Sequence, residues 1–169
     1  MYVLDISADL PFAMTSQGWH RSRTRVFTGA HTAMAKHWHE HMLPRHFKPG
    51  AAARYGYQER MESTIRAKAG RWGKSPEYAK QYPLTMTGDL SSDVTGAFVV
   101  RATPTKFSVR MQAPHYATMR PKSAGMPNLG AEITTVTLDE IRELEEIGRK
   151  EAYRLFEIEL RKKAKWLFK

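Results

Sequence analysis

A chain of 169 residues with 41% hydrophobic and 11% aromatic side chains can bury roughly two-thirds of its unfolded surface as one domain, without covalent or metal staples. Its 27 Lys and Arg against 17 Asp and Glu give a formal net charge of +10, which favours acidic partners: nucleic acid, anionic protein surfaces or a negatively charged assembly. The lack of cysteine removes disulfides, thiolate nucleophiles, iron–sulfur clusters and cysteine zinc sites, and no run approaches the roughly 18 apolar residues of a membrane helix.

The opening MYVLDISADLPFAM has no basic stretch leading into a sustained apolar one, so no signal peptide is expected and folding in the cytosol follows. Tyr2 to Leu10 alternates loosely. Residues 1–15 therefore read as an arm or edge strand, a candidate for pairing with a neighbouring subunit, and residues 16–169 as a single domain. From Ser16 or Arg21 to Met42, the residues Trp19, Val26, Ala30, Ala33 or Met34, and Trp38 form a helical stripe, weakened by Gly29 and closed by Pro44. Pro49, Gly50 and Gly56 punctuate residues 45–57, which should form a loop or short helical turn holding Tyr55 and Tyr57. Met61, Ile65 and Ala69 place a second helix over Glu59 to Ala69 with a stop at Gly70, and Ser75-Pro76 reads as another helix start.

Thr87-Gly88-Asp89-Leu90 is expected to turn into a short helix near Leu90 to Val94. Ala97 to Thr103 and Lys106 to Ala113 have hairpin spacing around Pro104-Thr105, with Phe107, Val109 and Met111 alternating with Ser108, Arg110 and Gln112. Met119 to Gly130, with Pro121, Gly125 and Pro127, reads as a long exposed loop, and Glu132 to Val136 as a third strand. Thr137-Leu138-Asp139-Glu140 is a capping box opening the clearest helix, which should run at least to Lys162, acidic at its start and basic at its end as the helix dipole favours. The sum is an α+β fold: a small, mostly antiparallel sheet packed against helices, with a long C-terminal helix.

Five of the seven histidines lie between His31 and His46, and His37 with His41 sit one turn apart as two metal ligands would. HWHEH is not HExxH, however, and Glu40 is on a different face, so these read as solvated helix histidines and no metal site is assigned. Glu140, Glu143, Glu145 and Glu146 read as stabilisers of the helix dipole, pairing with Arg149 and Lys150, more simply than as acid–base pairs. GxSxG, Walker A and GxGxxG patterns are absent, so neither a catalytic residue nor a cofactor is expected and the chain reads as a non-enzyme. The basic series Arg45, Lys48, Arg54, Arg60, Arg66, Lys68, Arg71 and Lys74, interleaved with Tyr55, Tyr57 and Trp72, suits a phosphate backbone with aromatics stacking on bases. It equally suits half-buried tyrosine anchors under arginines, or a protein–protein hot spot.

His46-Phe47, Arg54-Tyr55-Gly56-Tyr57, Arg60, Pro83-Leu84 and the Thr87 to Leu90 turn before a β-rich stretch resemble the neck or tail-completion proteins of long-tailed bacteriophages. The likeness runs from His46 to Tyr116. It implies a structural virion protein, part of the ring that joins head to tail around the DNA channel, assembled in the host cytoplasm and located in the virion neck or tail. The implied partners are further copies of itself, six favoured over twelve, together with portal or adaptor and tail-tube proteins, non-specific contact with genomic DNA, and no membrane. By the same resemblance His46, Phe47, Arg54, Tyr55, Tyr57 and Arg60 form a packed or interfacial motif, and Arg120, Met126 and Leu129 belong to a subunit-contacting loop. Ser91-Ser92-Asp93 stands where the family often has a basic residue, and no glycine follows Met119-Arg120, so completion protein, terminator and head-side adaptor all stay open. The alternative is a basic nucleic-acid-binding protein acting outside a virion, distinguished by a steep loss of affinity with salt.

Overall fold

In a computed structural model the chain is described over residues 2–7, 20–82, 84, 89–113 and 127–167. The N-terminal apolar stripe forms helix α1 (His20–His37), which continues without a break into a wider π turn over Trp38–Met42 and a tighter 3-10 turn over Leu43–Phe47. Pro44 has no N–H to continue the helical ladder, and the Leu43 N–H reaches back five residues to the Trp38 carbonyl. The wide turn buries Trp38, His39 and Met42 while Glu40 and His41 stay exposed.

Four short helices follow. Helix α2 (Ala51–Tyr55) is bounded by Gly50 at φ +81° and Gly56 at φ +63°; α3 (Glu62–Trp72) ends on Gly73 at φ +60°. Helix α4 (Pro76–Gln81) starts where Ser75 Oγ accepts from the Tyr78 N–H at 3.1 Å, and α5 is Asp89–Thr95. Strands β2 (Phe98–Ala102) and β3 (Lys106–Met111) form the expected hairpin, with Val100 opposite Val109. Phe107, Val109 and Met111 of β3 turn into the main core, where they meet Met34, Trp38 and Leu43.

Two expectations are corrected. The third strand is β1 (Tyr2–Ser7), antiparallel to β3 in the sheet order β1-β3-β2, so the N-terminal strand finds its backbone partner in its own chain rather than in a neighbour. Residues 132–136 are not a strand: Leu129–Thr134 is a short helix, α6. Asn128 caps it by accepting from the Ala131 N–H at 3.1 Å, and the hydroxyls of Thr134 and Thr135 bond back to the carbonyls of Gly130 and Ala131. These local bonds override the strand preference of the β-branched run.

The C-terminal helix α7 (Leu138–Leu167) lies against α1. Gly29, expected as a weak point, makes room for Leu155 of α7: a Cβ there would stand 2.3 Å from Leu155 Cδ1. Val26 and Ala30 pack on Ala152 beside it, and Ser22 Oγ donates to Glu159 Oε2 at 3.1 Å. Among the described residues no helix is long and apolar enough to cross a membrane.

Two glycines give opposite expectations. Gly56→Ala forces a side chain into the left-handed region and should cost about 1 kcal/mol, whereas Gly70→Ala, inside α3 with open space around it, should stabilise by up to about 1 kcal/mol. Urea unfolding of both variants checks this; a shift of the same sign in each would contradict the assigned backbone.

Candidate functional site

The capping box at the start of α7 also supplies the most buried acidic side chain among the described residues. Glu140 is 0% exposed. Its Oε2 accepts from the Thr137 N–H at 3.2 Å, while the Glu140 N–H donates to Thr137 Oγ1 at 3.3 Å. Its Oε1 accepts from the Tyr55 hydroxyl at 2.7 Å, with Arg45 Nη1 at 3.6 Å and Arg54 Nη2 at 3.5 Å. One turn on, Glu143 takes the Arg45 fork at 3.1 and 3.3 Å and faces His37 Nε2 at 2.8 Å. A third carboxylate, Glu132 of α6, takes both arms of Arg60 at 2.8 and 2.5 Å and the Gln58 N–H at 3.2 Å.

Three acids of the last two helices thus clamp residues 45–60. Between the clamps the aromatic rings form a stack: His46 lies 3.7 Å from Tyr55, nearly parallel, and its Nδ1 is 2.5 Å from the Tyr57 hydroxyl. Burial pushes His46 down to about 4, against the opposing pull of Glu140, and pushes the hydroxyls of Tyr55 and Tyr57 up. Hydrogen bonds from Arg45 and then His37 hold Glu143 down at about 2, and the same contact raises Arg45. Near neutral pH the imidazole is therefore uncharged and both phenols keep their protons. The cluster holds protons in place rather than passing them on, which suits a structural brace better than general acid–base work.

The residues singled out from sequence fall into three groups. His46 and Tyr55 are buried, Phe47 and Tyr57 are half-buried against the main core, and Arg54 and Arg60 are committed to Glu140 and Glu132. Leu129 is corrected: it opens α6 and packs on the core instead of projecting from a contact loop. Arg120 and Met126, with most of the Met119 to Gly130 stretch, lie outside the described residues.

Three of the helix histidines are corrected as well, while His41 is exposed as expected. His31, His39 and His46 are buried; His31 Nδ1 bonds the Phe27 carbonyl at 3.0 Å, and His39 Nε2 donates to the Val94 carbonyl at 2.8 Å while its ring stacks 3.8 Å from Phe98. Burial lowers the His39 pKa. Among the described residues no three His, Asp or Glu side chains converge as a metal site.

No family model, curated protein or solved structure matches the chain. Sequence reasoning placed Glu140 and Glu143 on a solvated helix face and Glu132 in a strand, and so missed all three clamps. The available signal was electrostatic: Arg45, Arg54 and Arg60 beside two tyrosines need acidic partners, and none lies within residues 41–58. For Glu146 the surface reading holds, since it pairs with Lys150 at 2.7 Å.

Removing the central clamp with Glu140→Ala strands a buried phenol and leaves Arg54 without its acid, and should cost about 3 kcal/mol; Tyr55→Phe, which loses one charge-assisted bond, should cost about 1.5 kcal/mol. Denaturant midpoints near those of the parent protein in both variants would remove the brace from the account.

Acid should weaken the fold in two stages. His46 has a folded pKa near 4 against an ordinary 6.5, so the unfolded chain gains the proton first and stability falls as pH drops from 6.5 towards 4. Glu143, at about 2 against 4.5, holds its contribution above pH 4.5 and loses it from there down to pH 2. Urea midpoints measured from pH 7 to 4.5 should decline in the parent and stay flatter in His46→Gln. An equal decline in both would rule out His46 as the source of the first stage.

Proposed function

We propose that this chain is a structural virion protein of a tailed phage, part of the neck, head–tail connector or tail-completion ring that joins head to tail around the DNA channel. It acts there without catalysis. The observation that carries this reading is that the His46 to Arg60 segment, which holds part of the resemblance to neck proteins, is spent on architecture: its imidazole, phenols and guanidinium groups are bonded to one another and to Glu132 and Glu140. A motif used this way specifies a scaffold, and a scaffold with +10 charge suits a large acidic assembly. Copies contacting head to tail close into a ring when the rotation allows, six favoured over twelve, between portal or adaptor and tail-tube proteins. Assembly takes place in the host cytoplasm and the finished protein resides in the virion.

A basic nucleic-acid-binding protein acting outside a virion is the second reading, favoured by cations on β2 and β3 that have no acidic partner among the described residues. The two readings part on composition. Mass spectrometry of purified virions should detect the chain at a small integral number per particle, and particles made without it should accumulate as filled heads beside unjoined tails. Absence from purified virions would overturn the neck reading. Within it, changing Arg120 and Met126 together should block joining, and normal joining would remove these two residues from the contact surface.

A further inference from the structure

The cations that sequence inspection gathers between residues 45 and 74 are largely neutralised. Arg45, Arg54 and Arg60 are held by buried acids, Arg66 pairs with Glu62, and Lys68 is buried with its ammonium on the Tyr82 carbonyl. Lys48 and Lys74 of that series stay exposed, and further unspent charge lies on the sheet. On the β2–β3 hairpin, Phe107, Val109 and Met111 take the core side, so Val99, Arg101, Lys106, Ser108 and Arg110 take the other. The register sets Arg101 opposite Ser108 and Val99 opposite Arg110. Lys106 and Arg110 are then the two diagonal neighbours of Arg101, each about 7–8 Å away across the strands.

None of these three side chains makes an ion pair among the described residues, and the Arg110 Nε is shielded with no hydrogen-bond partner. In the register with β1, Asp5 stands opposite Ser108, so the sheet at this level counts three cationic residues against one acidic.

We propose that the outward face of the β2–β3 hairpin binds the phosphate backbone of duplex DNA through Arg101, Lys106 and Arg110. Charge complementarity selects a polyanion. Within the hairpin this face has only Val99 as an apolar residue and lacks tyrosine and tryptophan, so it offers neither the anchor of a protein–protein hot spot nor the stacking platform of a single-strand binder. Cations without aromatic or base-reading groups beside them fit backbone contact with a duplex, independent of sequence. The proposal deepens the neck reading and rests on it for the source of the DNA, whereas the binding itself is a property of the isolated chain.

Fluorescence anisotropy with a labelled 30-base-pair duplex across a salt series tests it. Each phosphate contact contributes about 0.9 to the slope of log affinity against log salt, so Arg101→Gln/Lys106→Gln/Arg110→Gln should lower that slope by roughly 2–3. The control Lys48→Gln/Lys74→Gln/Lys80→Gln removes the same charge elsewhere and should lower it by less than about 1. If the partly buried Arg110 proves necessary for folding, Arg101→Gln/Lys106→Gln alone should lower it by roughly 2. Equal losses in hairpin and control variants, tighter binding to a single strand of the same length, or no binding of the parent at low salt would each overturn the proposal. Any of these leaves the neck reading to be decided by virion composition.

Discussion

A carboxylate with no exposure to water must be answered on both oxygens, and Glu140 is. One oxygen closes the capping box on Thr137 and the other receives Tyr55, with Arg45 and Arg54 drawn in to 3.6 and 3.5 Å. The first contact determines where α7 begins; the second determines where residues 45–55 sit. Because they share one side chain, the start of the last helix and the placement of the middle segment are a single choice. Both arginines keep part of their surface in solvent, at 27% and 47%, so the fully desolvated part of the cluster is confined to the carboxylate and the phenol.

What was legible in the sequence is what local chemistry writes. The capping box marks α7, strict alternation marks β3, and Ser75-Pro76 marks α4, each through groups a few residues apart. The second role of Glu140 leaves no such trace, because its partner Tyr55 is 85 residues upstream and contributes no periodicity. Residues 132–136 misled for a related reason: Ile133, Thr134, Thr135 and Val136 have strand composition, yet an Asn cap and two back-bonding hydroxyls settle the backbone locally. His39 was hidden by a change of pitch. A 3.6-residue period carried through Trp38–Met42 leaves His39 no special place, whereas the wider turn carries it inward to the Val94 carbonyl.

The division of charge follows from the same economy of contacts. Guanidinium groups near the start of α7 serve as structural donors because acids of the last two helices reach them. The cations of the hairpin stand on the side of the sheet turned away from the core and meet no such acid among the described residues. A net charge read from composition is therefore a poor guide to where a polyanion would settle, since most of the cations conspicuous in sequence are already answered.

Four side-chain contacts between the two halves of the chain are also nested. Arg60 meets Glu132 across 72 residues, Tyr55 meets Glu140 across 85, His37 meets Glu143 across 106 and Ser22 meets Glu159 across 137, each pair enclosing the one before. Loop-closure entropy grows only as the logarithm of loop length, so the innermost contact bears most of the chain-ordering cost and each outer one adds a short increment. Within this nested set the ion pair at the inner end, Arg60 with Glu132, therefore carries the largest share of the closure cost, ahead of the deeper carboxylate of Glu140.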